Sequence, residues 1–537
     1  MTFTNSRRGG NIQVETGKLS IANGAAIDSS TVDRGDGGDI FVKVRETISL
    51  DNYALISSSV SPTGIGNAGN VIIEAKQLAV RNGSQILSAT FGNGNAGDLT
   101  IQRSELVEID GGSVTDTGLF TQVGGQVGSP SVGSVGNLTL ETNQLILRNG
   151  GQVNATIFGH GTGSDSLLTI RAADIQLIST TAIPGRTGIQ PSAIQTRIEP
   201  FGSGNASNLI IETDRLSIEN GARIAADIEQ GGRGKAGNIF IQAGESVKIS
   251  GSLKNNSTQS SLVSLLTTSI NQGAEGSAGD LSIEAKQLFL QDGAQINARS
   301  QGQGKAGNIF MNIKELLQAN DGTISTTANR SSGGKIDIIA RDIRLNGDSN
   351  ITTFVSSGAG GGGDITLTAN SIVALNDSDI LAFARDGRGG NVTLNTRAFF
   401  GQTYRPAPFG TDPATLDGND RVDINASGSL SSGTIVTPDT SFIQNSLNQL
   451  PKETIDTTKL LANTCIVRKD KPEGTFYITG TGGLPTRPGD LPPSQYPTNT
   501  IVQTADRPWQ KGDPIVEPQG FYQLANGRLV MSRECQL

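Results

Sequence analysis

The sequence predicts an all-β protein built as a right-handed parallel β-helix, in which each turn of the chain stacks on the previous one. Three observations predict this fold: a motif that recurs along most of the chain, short runs of alternating apolar and polar residues within each copy, and 70 glycines among 537 residues. Alternation with a period of two residues is typical of a strand with one buried face. Glycine and Asn-Gly pairs supply the positive φ angles of tight turns.

The composition argues against several classes of protein. Apolar residues make up 35% of the chain and aromatic residues 4%, so a thick enzyme-like core is not expected. The net charge of −8 and the pI near 5.0 argue against a nucleic-acid partner, which requires a basic surface. The sequence contains no apolar run of about 18 residues, so we predict no transmembrane segment.

Each copy of the repeat begins with a glycine, then Asn or Asp, then an apolar–polar–apolar triplet, as in Gly97-Asp98-Leu-Thr-Ile. Neighbouring strands in a parallel stack lie about 4.8 Å apart, and stacked Asn side chains can hydrogen-bond along such a stack. We therefore predict a structural ladder of side chains at this anchor position. Its members are Asn11, Asp39, Asn70, Asp98, Asn137, Asn208, Asn238, Asp280, Asn308, Asp364 and Asn391.

A second signature, exemplified by Leu78-Ala-Val-Arg-Asn-Gly83, follows the anchor in several copies. Each copy thus contains three short alternating runs, which predict one three-stranded coil. Thirteen such coils, counting degraded copies, would form a rod of roughly 60 Å around a thin apolar column. Helices are disfavoured because glycine and β-branched residues recur throughout. A sandwich of hairpins would not produce a copy of fixed length.

The periodicity divides the chain into three parts. Residues 1–395 carry repeats of about 28–42 residues, 396–445 leave the pattern from Phe399-Phe400 onward and add one last coil, and 446–537 form a tail with a Pro-rich linker and a small terminal hairpin. Extra residues around 117–133, 183–200 and 252–262 are expected to protrude, at least in part, as loops. Such insertions often mark a binding face, but tolerated surface variation explains them equally well.

The coil motif, together with tail segments such as Leu460-Leu-Ala-x-x-Cys465 and Ile515-Val-Glu-Pro-Gln-Gly520, resembles filamentous-haemagglutinin-type exoproteins, specifically the S-layer or filamentous haemagglutinin family proteins of cyanobacteria. The resemblance implies a secreted protein at the cell surface or outer membrane, exported through an outer-membrane two-partner secretion barrel. It implies a non-catalytic role in adhesion or a surface matrix, with contacts to glycans or neighbouring cells. Such proteins begin with a signal peptide and a secretion domain, and neither is seen here, so we expect a truncated N-terminus.

The two cysteines, Cys465 and Cys535, are a candidate disulfide. In an oxidising compartment this bond would close a loop of about 70 residues and contribute roughly 4 kcal/mol on the chain-entropy model. By resemblance, a C-terminal disulfide loop can also tether an exoprotein to the cell. A simple staple for the tail remains the alternative.

A β-helical carbohydrate-active enzyme, either a polysaccharide lyase or a hydrolase, is the alternative function. It would be indicated by two or three carboxylates and an Arg or Lys that converge within about 10 Å in one lateral groove, because sugar hydrolysis uses paired carboxylates. We predict no catalytic residue, cofactor or metal site. His160, the single histidine, has no Cys or His partner in sequence for binding a metal. A purely structural coat or matrix protein is a third possibility.

Overall fold

The computed structural model describes residues 8–124, 132–159, 161–163, 166–179, 190–254, 261–357, 361–404, 411 and 415–438. In the tail it describes residues 474–476, 496–498, 518, 520–523, 527 and 529–532. These residues form strands and turns and contain no α-helix. None of their segments is an apolar helix that could cross a membrane. The chain divides into two compact units, one ending at Pro438 and the other beginning at Asp439.

The first unit is a parallel β-solenoid, which confirms the predicted fold class. Thirteen successive anchors each start a long strand of one parallel sheet, sheet A, and make about 12 turns. The right-handed sense of the coil stays a prediction. The strands of sheet A are Ile12–Thr16, Leu19–Ala22, Ile40–Asp51, Val71–Arg81, Leu99–Asp110, Leu138–Arg148, Leu167–Ile178, Asn208–Glu219, Ile239–Ser250, Leu281–Gln291, Ile309–Asn320, Ile336–Asn346, Ile365–Ala374, Val392–Gly401 and Ile435–Val436.

Two further parallel sheets complete the coils. Sheet B comprises Ala26–Asp28, Leu55–Val60, Gln85–Thr90, Thr117–Val123, Gly151–Ile157, Ala193–Ile198, Arg223–Ile228, Leu265–Ile270, Gln295–Ser300, Thr323–Ala328, Ile351–Val355, Ile380–Ala384 and Ile424–Asn425. Sheet C is confined to the middle of the stack and comprises Thr162–Gly163, Ser203–Asn205, Arg233–Lys235, Glu275–Ser277 and Gln303–Lys305.

The expectation of three short strands per coil is corrected by sheet A. Its long strands join the first two alternating runs and bend between them. In Val71–Arg81 the inward-facing positions run up to Ala75 and resume at Leu78, while Lys76 and Gln77 are both exposed. Two consecutive outward residues shift the alternation by one, so the strand turns around the core without breaking. Several sheet A pairings shift register at this bend.

A single apolar cluster fills the solenoid from end to end. The register of sheet A places aliphatic side chains of neighbouring coils over one another. Leu138 lies between Leu99 and Leu168, and Leu209 lies between Leu168 and Ile239. Each coil contributes a few Val, Ile, Leu and Ala side chains that one coil alone could not bury. The stack is therefore stabilised by contacts between neighbouring coils.

At most anchors, steric crowding between coils favours the glycine that precedes the anchor. A Cβ built on Gly279 would lie 2.0 Å from the Gly237 carbonyl oxygen, and one built on Gly307 would lie 1.8 Å from that of Gly279. Two degraded copies instead carry Ser166 and Ser207, whose hydroxyl oxygens lie 2.5 Å apart. Glycine at this corner therefore permits the close approach of backbones and is not primarily a hinge.

The predicted insertions and the predicted end of the repeats need correction. Thr117–Val123 and Ala193–Ile198 are strands of sheet B, whereas Ser252–Lys254 and Ser261–Val263 pair antiparallel. The first of these strands follows Gly111-Gly112 instead of an Asn-Gly turn, so its turn signal in the sequence is weaker. Residues 125–131, 180–189 and 255–260 lie outside the described part. Phe399 and Phe400 do not leave the coil: they pair with Ile372 and Val373 in the strand Val392–Gly401.

In the second unit, the structure describes two antiparallel strand pairs. Gly474–Phe476 pairs with Tyr496–Thr498, and Gly520–Gln523 pairs with Leu529–Ser532. The second pair is the small terminal hairpin that the sequence predicts.

We expect Gly279→Ala to destabilise the solenoid by about 1–3 kcal/mol, because the added methyl must displace a neighbouring coil. Gly17→Ala is the matched control, since its Cβ would meet nothing closer than Arg45 Nη2 at 3.6 Å. Thermal unfolding followed by circular dichroism would measure both. Equal melting temperatures for the two variants would show that the glycine corner is not sterically limited.

Candidate functional site

The predicted anchor residues form a row in which each side chain binds the backbone of the next coil. The Oδ1 atom of each acceptor receives the N–H of the anchor above it. The pairs are Asp39 to Asn11 (3.0 Å), Asn70 to Asp39 (2.9 Å), Asp98 to Asn70 (2.9 Å), Asn137 to Asp98 (2.8 Å), Asn238 to Asn208 (2.9 Å), Asp280 to Asn238 (2.9 Å), Asn308 to Asp280 (2.9 Å) and Asn391 to Asp364 (2.7 Å).

Side chains of the anchor row also bind each other where Asn follows Asp. The Nδ2 of Asn308 donates to Asp280 at 2.9 Å, and that of Asn391 donates to Asp364 at 3.0 Å. The row has gaps at the degraded copies, where Leu167 and Lys335 occupy the anchor position. The ladder therefore depends mainly on a side-chain acceptor, which Asn and Asp supply equally well.

Sequence reasoning missed a row of buried hydroxyls that joins sheet B to the same corner. Ser58 donates to the Gly38 carbonyl at 2.9 Å, Ser88 to Gly69 at 3.0 Å and Thr268 to Gly279 at 2.6 Å. The available signal was a Ser or Thr at an inward position of several sheet B strands. These hydroxyls satisfy buried backbone carbonyls that would otherwise lack a partner.

Charged residues converge on the outward face of sheet B, at the strands Ala193–Ile198 and Arg223–Ile228. Arg197 Nη1 lies 3.0 Å from Glu199 Oε1, and Arg197 Nε lies 3.5 Å from Glu229 Oε1. Asp227 is the register partner of Arg197 and accepts a hydrogen bond from Ser269 at 2.6 Å. We call Arg197, Glu199, Arg223, Asp227 and Glu229 the lateral charge cluster.

Burial and mutual attraction set the protonation of the lateral charge cluster. Burial raises the pKa of Asp227, although Arg223 and Arg197 oppose the shift. Burial lowers the pKa of Arg223, and the nearby charge of Arg197 adds to this effect. Burial also acts to lower the pKa of Arg197, but the carboxylates of Glu199, Asp227 and Glu229 together raise it.

Three carboxylates and two guanidinium groups lie together on neighbouring strands of sheet B, which is the combination of side chains that the enzyme alternative calls for. Asp227, the acid with the raised pKa, is 4% exposed, so it is a poor direct donor to a polymer. Glu199 and Glu229 are partly exposed, with side-chain exposures of 19% and 27%. The cluster leaves both the adhesin hypothesis and the enzyme alternative open.

A second acidic group, also missed by the sequence, lies near the C-terminal end of the solenoid. Carboxylate oxygens of Asp348, Asp377 and Asp417 lie within 4.8 Å of one another. Asp377 accepts the backbone N–H groups of Gly418 at 2.6 Å and Asn419 at 3.1 Å. These bonds join the last coil to the one before it, which accounts for Asp377 without a bound ion.

Asp379, close to this acidic group, is fully buried, and its Oδ1 accepts the Asp423 N–H at 2.7 Å. Burial raises the pKa of Asp379 to about 8, and the neighbouring carboxylate of Asp423 adds to the shift. Asp379 is therefore mainly protonated in the folded chain at neutral pH.

The remaining candidate residues cannot be placed. Cys465, Cys535 and His160 lie outside the described residues, so the disulfide stays a prediction.

Comparisons with known proteins assign no family to the chain. No family model matches it, and neither the curated proteins nor the solved structures include a significant match.

We expect Asn208→Ala to destabilise the solenoid by about 1 kcal/mol, because the Asn238 N–H loses its acceptor. Asn208→Asp is the matched control, since it retains the acceptor oxygen. Amide hydrogen exchange at Asn238 would show faster exchange in the alanine variant alone. If both variants exchange like the parent, the anchor row does not stabilise the coils.

We expect the stability of the chain to fall as the pH rises from about 4 to about 8. The folded pKa of Asp379 lies above the usual value near 3.9, so the folded state binds the proton more tightly and loses this advantage on deprotonation. Asp379→Asn retains the oxygen acceptor and does not titrate. Its melting temperature should exceed that of the parent by a few degrees above pH 8. Parallel pH profiles for the two proteins would contradict this assignment.

Proposed function

We propose that the chain is a secreted or cell-surface exoprotein in which the β-solenoid is a non-catalytic stalk with a role in adhesion or in a surface matrix. The continuous stack of the first unit is the observation that carries the proposal. One apolar cluster runs through the thirteen anchor strands, and the anchor row follows it with gaps at two coils, so most residues of the first unit serve to extend the stack. At about 4.8 Å per coil this stack extends roughly 60 Å.

The chemistry of the anchor acids supports a structural role for them. Asp39, Asp98, Asp280 and Asp364 each accept a backbone N–H from the following coil. A carboxylate engaged in this way is oriented along the stack and occupies the position that Asn occupies elsewhere. The anchor acids therefore act as hydrogen-bond acceptors between coils.

The outer surface of sheet A carries ion pairs between neighbouring coils. Arg171 contacts Glu141 at 3.2 Å and Glu212 at 2.8 Å, bridging three strands, and Lys314 contacts Glu284 at 3.1 Å. Exposed pairs of this kind contribute little to stability. They keep the outer surface of the sheet charged and hydrated.

Export and location rest on the resemblance of the repeat and tail to filamentous-haemagglutinin-type exoproteins. On that basis the partner in export is an outer-membrane two-partner secretion barrel, and the contacts of the exported stalk are glycans or neighbouring cells. Protease treatment of intact producing cells tests this placement. The proposal expects the protein to be cleaved while cytoplasmic proteins stay intact.

A β-helical carbohydrate-active enzyme is the second candidate, and the lateral charge cluster favours it. Glu199 and Glu229 share Arg197 and are both partly exposed. Paired carboxylates on a lateral face are what glycoside hydrolysis requires. In this alternative these two residues, with Arg197 between them, would act on a polysaccharide lying along sheet B.

One experiment separates the two candidates. The purified chain is immobilised and tested for retention of intact cells, and in parallel it is incubated with a panel of neutral and uronate-containing polysaccharides. We expect cell retention by the folded protein, loss of retention after heat unfolding, and no release of reducing or unsaturated sugar ends. Release of such ends that disappears in Glu199→Gln and Glu229→Gln would overturn the stalk proposal in favour of the enzyme.

A further inference from the structure

A polar cavity of about 500 Å³ lies at the corner between sheets A and B in the first four coils. This volume falls within the range of small-ligand sites. Its lining differs from that of an apolar pocket because amide, carboxylate and hydroxyl groups predominate around one aromatic ring. The lining residues are Asn23, Asp51, Asn52, Tyr53, Asn82, Gly112, Ser113 and Val114.

Tyr53 occupies a position where neighbouring coils carry glycine. Its backbone N–H binds the Asn82 carbonyl at 3.0 Å, as that of Gly24 binds the Asn52 carbonyl at 2.9 Å. The φ angle of Tyr53 is 63°, close to the 80° of Gly83 in the next coil. A bulky residue in this left-handed region is strained by about 1–3 kcal/mol, and such strain concentrates at functional sites.

The ring of Tyr53 extends along the stack over the next coil. A Cβ on Gly83 would lie 2.7 Å from Tyr53 Cδ1, so the ring rests on a residue that has no side chain. The Tyr53 hydroxyl reaches Ser113 Oγ at 3.4 Å, one coil further on. The Tyr53 residue is nevertheless 48% exposed. The ring thus forms an accessible apolar surface within a polar cavity.

The amides around the ring are oriented by hydrogen bonds between side chains of neighbouring coils, and some of their polar atoms remain available. Asn52 Nδ2 donates to Asn23 Oδ1 at 2.8 Å, and Asn82 Nδ2 donates to Asp51 Oδ1 at 2.8 Å. The Nδ2 of Asn23 and the Oδ1 of Asn52 have no hydrogen-bond partner among the described residues. Fixed amides present both donors and acceptors to a ligand, and the carboxylate adds an acceptor.

We propose that this cavity binds a neutral pyranose unit of a glycan. The C–H face of a pyranose is apolar and packs on an aromatic ring, whose π face is electron-rich. The sugar hydroxyls then bond to Asn23, Asn52 and Asp51. The carboxylate of Asp51 and the net charge of −8 disfavour an acidic sugar. This site is separate from the lateral charge cluster, and the inference rests on the proposed function, whose glycan contacts it would specify.

The test uses substitutions that the repeat itself tolerates. Tyr53→Gly installs the glycine that neighbouring coils carry, so it should melt at or above the parent temperature. Tyr53→Phe keeps the ring and removes only the hydroxyl. Phe201→Gly is the matched control, because Phe201 is also an exposed aromatic residue with positive φ (67°) in register with a glycine, Gly231.

The full chain is screened on an array of neutral and uronate-containing oligosaccharides, and the strongest binder is titrated by calorimetry. We expect a neutral oligosaccharide to bind, with affinity reduced at least tenfold in Tyr53→Gly and changed less than about threefold in Tyr53→Phe and Phe201→Gly. A tenfold loss corresponds to about 1.4 kcal/mol.

Three results would overturn the inference: no neutral oligosaccharide binds, only uronates bind, or Tyr53→Gly binds like the parent. None of these results decides the proposed function, because cell retention by the stalk is measured separately and can use other surfaces.

Discussion

The close stacking of backbones at the anchor corner is the constraint on which the rest of the solenoid depends. At most anchors, the carbonyl of the coil below occupies the space that a Cβ on the preceding glycine would need, as for Gly363 over Gly334, where the separation would be 1.7 Å. This approach places the next residue, Asn or Asp, where its side chain can accept a neighbouring N–H. Glycine, acceptor side chain and buried hydroxyl together fix the register of sheets A and B, and the register lets like side chains stack in the core.

The anchor corner accounts for the acids that serve as hydrogen-bond acceptors between coils. Two acids elsewhere in the chain differ from them in having raised pKa values. An anchor Asp accepts one backbone donor at a partly exposed edge. Asp227 is buried within a strand of sheet B and Asp379 immediately before one, and burial raises the pKa of each carboxyl. Residues that depart from the repeat are therefore the informative ones for function, and Tyr53 belongs to the same category. A repeat makes such departures visible because the neighbouring coils show what structure alone requires.

Much of the solenoid could be predicted from the sequence because its signals are local. The Gly-Asn/Asp anchor and period-two alternation predicted the strands of sheet A and the anchor row. The strand Thr117–Val123 was missed because no Asn-Gly turn precedes it. The bend at Lys76 and Gln77 was also missed, because it joins two alternating runs that the sequence analysis treats as separate strands. The lateral charge cluster could not be predicted, because Arg197 and Glu229 meet only when coils of different length come into register.

The register of the stack is tested most directly by spin-label distances along one column of sheet A. Thr139 and Thr366 lie on the same outward column, seven strands apart, although 227 residues separate them in sequence. Ser282 lies on the same column, four strands from Thr139. With Cys465 and Cys535 replaced by serine, spin labels on cysteines at 139 and 282 should lie roughly 19 Å apart, and labels at 139 and 366 roughly 34 Å apart, at about 4.8 Å per strand. Distances that do not grow in proportion to the number of intervening strands would contradict a continuous parallel solenoid.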